Sequence, residues 1–115
     1  VDEKLSQALE RSNYMTTLAT QKRLLAEKYQ TDLIYYKDGY EIEVTETLIS
    51  FCSMLIARKR NEVVLTDANN IPFFVENLET FLDEILDVYF QASNEYYQNY
   101  TDLKKSRSVE GLVDL

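Results

Sequence analysis

Apolar side chains recur near helical spacing from the start of the chain. Leu5, Leu9, Met15, Leu18, Leu25, Tyr29 and Leu33 mark one face, and Ala8, Ala19 and Ala26 fill it. Glu10, Arg11, Gln21, Lys22 and Lys28 occupy the rest, and neither proline nor glycine interrupts the run. Residues 3–33 are therefore expected to form one long amphipathic helix. Its stripe needs a partner of similar length. Residues 77–105 supply one, with Leu78, Phe81, Leu82, Ile85, Val88, Tyr89, Ala92, Tyr96, Tyr100 and Leu103 keeping the same period. Asn77 is the expected N-cap, and Glu79 suits the positive end of the helix dipole. Two such helices around a shorter middle segment predict an antiparallel pair.

The middle segment, Thr45 to Arg60, reads as a third helix. Leu48, Ile49, Phe51, Cys52, Met54, Leu55 and Ile56 cover most of its circumference, which predicts the most buried element of the chain. Thr45 is its expected N-cap, and Arg58-Lys59-Arg60 followed by Asn61 forms its expected end. Both connections have the pattern of hairpins. Asp38-Gly39 stands between β-prone runs, with Tyr40, Ile42 and Val44 alternating against Glu41, Glu43 and Thr45. Val63-Val64-Leu65 and Phe73-Phe74-Val75 flank the turn-rich Asp67-Ala68-Asn69-Asn70, and Pro72 restricts its strand to an edge or a strand start. Leu25, Tyr29, Leu33 and Tyr36 also fit a first helix running on through Tyr36, but the Asp-Gly signal favours the hairpin. The expected fold is α+β, mainly α. It comprises two long antiparallel helices, a buried middle helix and short β-hairpins in the connections.

Composition narrows the chemistry. At 115 residues the chain is expected to form one domain, over residues 1–107, followed by a tail at 108–115. A hydrophobic fraction of 45% with 2 Gly and 1 Pro argues for a folded chain. No apolar run approaches the roughly 20 residues of a membrane span. Val1-Asp2-Glu3-Lys4 lacks the basic start of a secretory signal. A lone cysteine cannot form an intramolecular disulfide, so a reducing, cytoplasmic setting is expected. The net charge of −8 repels a phosphate backbone, which disfavours nucleic acid as a partner. Lys22-Arg23, Arg58-Lys59-Arg60 and Lys104-Lys105-Ser106-Arg107 read as helix ends, where cations complement the dipole.

Candidate chemistry is sparse. With no histidine, the commonest general base and metal ligand is missing, and no catalytic, cofactor-binding or metal-ligating set is expected. Cys52 lies within the most apolar segment, where nothing favours its thiolate. Asp83, Glu84 and Asp87, interleaved with Leu82, Ile85 and Leu86, are expected on a solvated helix face. Asp67-Ala68-Asn69 begins like a calcium loop, but Pro72 replaces the required glycine and Leu78 the bidentate Glu. Of the nine tyrosines, Tyr96, Tyr97 and Tyr100 crowd the last helix with no basic groove beside them. They are expected to pack on the first helix or to form an interface, including one with a second copy. Tyr96 and Tyr97 cannot both face one narrow seam.

The last eight residues carry the strongest functional signal. Ser108, Val109, Leu112, Val113, Asp114 and Leu115, led by the basic stretch from Lys104 to Arg107, resemble the C-terminal tails by which T-even phage DNA polymerases and late-transcription proteins grip their sliding clamp. The short, acidic, Tyr- and Asn-rich body is similar to small accessory proteins of T-even-like marine phages. The resemblance implies that Val109, Leu112, Val113 and Leu115 fill pockets on a clamp or polymerase component in the host cytoplasm. It implies a non-enzymatic accessory or adaptor protein. Burying four aliphatic side chains returns ~6–12 kcal/mol, against ~8 kcal/mol or more for ordering the tail, so a lone tail binds weakly without multivalency. The alternatives are a tail folded back on the helix pair and an assembly or virion protein built through the Tyr-rich helix faces.

Overall fold

The computed structural model describes residues 2–110, and the side chains of residues 2–106. In chain order the elements are α1 (Glu3–Asp32), β1 (Ile34–Lys37), β2 (Tyr40–Glu43), α2 (Glu46–Ala57), β3 (Val63–Thr66), β4 (Pro72–Val75) and α3 (Leu78–Glu110). The fold is α+β and mainly α, as the periodicities predict. The chain divides into a helical unit, Val1–Tyr29 with Glu95–Leu115, and a hairpin unit, Gln30–Asn94.

The hairpin unit holds the principal core. β1 and β2 pair antiparallel with Lys37 opposite Tyr40. The turn joining them places Asp38 at φ 51° and Gly39 at φ 84°. Two successive left-handed residues make a two-residue turn whose twist matches that of the strands, which is why Asp-Gly specifies it. The chain therefore leaves α1 at Asp32 and does not continue as helix through Tyr36. β3 and β4 pair antiparallel with Leu65 opposite Phe73 and Val64 opposite Phe74. Pro72 opens β4, where its missing N–H costs no ladder bond. Alternation sends Phe73 and Val75 inward and leaves Phe74 exposed. Ile42, Val44, Cys52, Phe73, Val75, Leu78, Phe81 and Ile85 form one buried cluster. It draws on β2, the β2–α2 link, α2, β4 and the first turns of α3.

Capping fixes where these helices begin and end. The Thr45 hydroxyl accepts from the Leu48 N–H at 3.0 Å. At the other end of α2, Lys59 adopts φ 61°. The Arg60 N–H reaches the Leu55 carbonyl and the Lys59 N–H the Ile56 carbonyl, the paired bonds of a Schellman cap. At the start of α3 the Thr80 N–H donates to Asn77 Oδ1. The Leu78 and Glu79 N–H groups reach Asn61 instead. Donors that a helix start leaves without intrahelical partners are thus satisfied from two asparagines.

The middle helix is covered on one side only. Cys52 is fully buried, and Leu48, Ile49, Leu55 and Ile56 pack on the core cluster. Phe51 and Met54 stay exposed, contrary to the expectation that α2 is the most buried element. An apolar composition around the whole circumference does not itself create a second covering layer.

In the helical unit α1 and α3 run antiparallel. Tyr29 stacks on Tyr96 while Lys22 lies over Tyr100, so residue numbers rise on one helix as they fall on the other. Tyr14 and Leu18, one turn apart, are the buried positions of α1. Of the expected stripe, Leu5, Leu9 and Met15 are exposed. A single facing helix covers a narrow seam, and Tyr14 occupies it where Met15 was expected.

Candidate functional site

A cleft of about 440 Å³ lies within the hairpin unit. One side is the β1–β2 turn region, Lys37, Asp38, Tyr40 and Ile42. The other side is the consecutive run Phe73, Phe74, Val75 and Glu76, with Phe81 and Thr80 from the first turn of α3. Side chains of successive strand residues alternate between faces, so Phe73, Phe74 and Val75 line one cleft together along the edge of β4, with Glu76 just past the strand end. Three aromatic rings are linked at this site. Tyr40 stacks on Phe73 at 5.1 Å between centroids, and Phe73 meets Phe81 at 6.2 Å with a tilt of 55°.

Lys37 is held by the protein itself. Its Nζ lies 2.6 Å from Glu84 Oε2 and 5.8 Å from the centroid of the Phe81 ring. The Tyr35 hydroxyl donates to the same carboxylate oxygen at 2.7 Å. Burial raises the Glu84 carboxyl, but the Lys37 and Tyr35 hydrogen bonds and the Lys37 charge together bring it below its ordinary value. Tyr35 moves the other way. Burial first, then donation to Glu84 and the Glu84 and Asp38 charges, push its phenol up to about 12. A phenol so disposed keeps its proton and serves as a donor. Glu84 was expected with Asp83 and Asp87 on a solvated face; Asp83 and Asp87 are exposed, but Glu84 is half-buried and ties α3 to β1.

Asp67 is the buried acid of the chain among the described residues. Oδ1 accepts from the Asn69 and Ile71 N–H groups, each at 2.9 Å, and Oδ2 from the Glu41 N–H at 3.2 Å. The Ala68 N–H returns a bond to the Glu41 carbonyl at 2.8 Å. The Ile71 N–H is the chief cause of a lowered Asp67 pKa; burial opposes it, and the Glu41 and Asn69 N–H groups add to the lowering. The stretch that begins like a calcium loop thus folds around its own carboxylate, which clasps β2. A sequence search for metal ligands misses this role because Glu41 lies far from Asp67 in the chain. Among the described residues no group of three or more Cys, Asp or Glu side chains is placed to hold a metal ion.

A second groove, of about 330 Å³, lies between the Thr66-Asp67-Ala68 stretch and the start of α2, lined by Thr45, Leu48 and Phe51. Cys52 is buried, and burial raises its thiol pKa, the reverse of what a nucleophile needs.

Tyr96 stacks on Tyr29 at 4.7 Å and meets Tyr100 edge-on at 6.4 Å. Lys22 lies 5.9 Å over the Tyr100 ring, and Lys28 pairs with Glu95 at 3.0 Å. Tyr96 and Tyr100 therefore pack within the helical unit, while Tyr97 is 75% exposed. α3 carries the backbone through Glu110, so Ser108 and Val109 lie on its last turn. The Val109 side chain and all of Leu112, Val113 and Leu115 lie outside the described residues. No helix among the described residues is long and apolar enough to cross a membrane. Comparison with protein families, with curated proteins and with solved structures finds no match to this chain.

Proposed function

We propose that this chain is a non-enzymatic interaction protein, an accessory or adaptor of the T-even-like phage kind that works in the host cytoplasm. The observation that carries the reading is the outer face of the β3–β4 hairpin. Val64 and Phe74 stand opposite each other there, both more than half exposed. Neighbouring apolar side chains left open on a small sheet are a docking feature, whereas single exposed ones are ordinary. The inward-turned titratable groups named above support the same reading. Glu84, Tyr35 and Asp67 are consumed in holding elements together, and Cys52 is buried.

The partner proposed from the tail resemblance is a sliding clamp or an associated polymerase component, gripped through Val109, Leu112, Val113 and Leu115. The test is binding of the full chain, and of a chain ending at Arg107, to an immobilised T-even-type clamp. Loss of binding with an unchanged melting temperature supports the tail as anchor. Equal binding by the shortened chain, or no binding by the full chain, removes it. Earlier melting of the shortened chain assigns the tail to the fold.

Homo-assembly through the Tyr-rich helix face is a second reading, favoured by the exposure of Tyr97. Sedimentation at micromolar concentration decides it, and a strict monomer ends it.

A further inference from the structure

We infer that the cleft of the hairpin unit binds an extended peptide segment bearing a lysine or arginine, which adds as a strand along the free edge of β4. The inference rests on the reading of the chain as an interaction protein, but not on its tail. Three observations carry it. The first is the strand edge. The Asp67 N–H bonds to the Ile71 carbonyl. Counting along the register from that pair makes Leu65–Phe73 and Val63–Val75 the hydrogen-bonded pairs, and Val64–Phe74 a non-bonded one. The Phe74 N–H and C=O therefore point away from β3, on the edge that lines the cleft. An extended peptide is the occupant that satisfies such an edge.

The second observation is charge. Lys37 is already answered by Glu84 at 2.6 Å. Asp38 and Glu76 also line the cleft, both exposed, and among the described residues neither forms an ion pair. The site is thus acidic on balance, and the whole chain carries −8. That favours a cation and disfavours a second copy of this chain. The third observation is the wall of Tyr40 and Phe73, joined to Phe81. The fold already places one ammonium over Phe81, that of Lys37. Phe73 and Phe81 are buried, so the half-buried Tyr40 is the ring that a guest ammonium or guanidinium reaches, with carboxylates beside it. Pro72 limits the register from the other end, since it offers no N–H to an added strand.

The test uses the full chain and a displayed library of random heptapeptides. Selection should enrich sequences with one Lys or Arg among β-forming residues. The best enriched peptide, labelled and followed by fluorescence anisotropy, should bind at least tenfold more weakly to the double variant Asp38→Asn, Glu76→Gln. Both side chains are exposed, and asparagine tolerates the left-handed conformation at position 38, so the variant should keep its melting curve. Methylating successive peptide nitrogens one at a time should abolish binding at alternate positions only, the signature of strand addition. Enriched peptides without a cation, or an affinity unmoved in the double variant, would falsify this site and leave the interaction reading standing. A dimer of the chain that competes with the peptide assigns the edge to a second copy and overturns the inference. No enrichment of any composition overturns the inference, while the interaction reading stands or falls on the clamp-binding test.

Discussion

In the hairpin unit Leu78, Ile85, Val44 and Cys52 are fully withdrawn from water, whereas in the helical unit Leu5, Leu9, Met15 and Leu24 stay about half exposed. The residue types are alike. What differs is the number of directions from which cover arrives. In the hairpin unit residues of two strands and two helices enclose one cluster. In the helical unit one helix faces another along a seam marked by Tyr14, Leu18 and the Tyr29–Tyr96 stack. Amphipathic periodicity therefore marks the side of an element that can be buried. The depth of burial is set by how many other elements converge there.

Two truncations give the largest contrast. Ile85→Ala should cost about 2–5 kcal/mol in denaturant unfolding, the range for an enclosed aliphatic side chain. Leu9→Ala should change stability by about 0.5 kcal/mol or less, because its site is already open to water. Equal losses at the two positions would erase the distinction between the units.

Next in size is the Asp67 clasp. Asp67→Ala should lower the melting temperature by several degrees and accelerate amide exchange at Glu41, while amides of the helical unit keep their protection. The pH dependence has a definite sign. Asp67 and Glu84 both titrate lower in the folded chain than ordinary carboxyls, so their stabilisation is present above about pH 4, the unfolded range. It declines as pH falls through the folded values. Asp67→Asn should flatten that acid limb, and an unchanged limb would show that the carboxylate contributes nothing through its charge.

The alkaline side tests Tyr35. Its folded pKa of about 12 lies above the ordinary 10, so its contribution is complete below pH 10 and lost as pH rises toward 12. Ultraviolet titration should find a late phenol, absent in Tyr35→Phe, which should also cost about 0.5–1 kcal/mol for the lost bond to Glu84. One substitution should be favourable. Lys59 holds a left-handed conformation without the freedom of glycine, and Lys59→Gly should stabilise by about 0.5–1 kcal/mol.

Local signals were legible in the sequence. Asp38-Gly39, Thr45 and Asn77 each fix an element boundary within one turn of themselves, so their roles follow from neighbours in the chain. Helix faces leave a weaker signal. Tyr14 and Met15 both lie within a turn of Leu18, and periodicity alone does not choose between them. Long-range pairings left no local trace. Glu84 sits among apolar neighbours that place it beside a solvated stripe, and only the distant Lys37 and Tyr35 turn it inward. The cleft belongs to the same class. Its edge, rings and carboxylates come from two hairpins and a helix start, and no short stretch of sequence contains them together.

The Asp67 clasp also bears on the order of events in folding. Each β-ladder closes within a stretch of at most 13 residues, Ile34 to Glu43 and Val63 to Val75, whereas the Glu41–Asp67 bond spans a separation of 26. Hairpins form in roughly 1–10 μs, and the longer closure, which also encloses α2, comes after them. A contact absent from the transition state leaves the folding rate unchanged and acts on the unfolding rate alone. Asp67→Ala is therefore expected to raise the unfolding rate of the hairpin unit more than it lowers the folding rate, and an equal or larger drop in the folding rate would place the clasp in the folding nucleus.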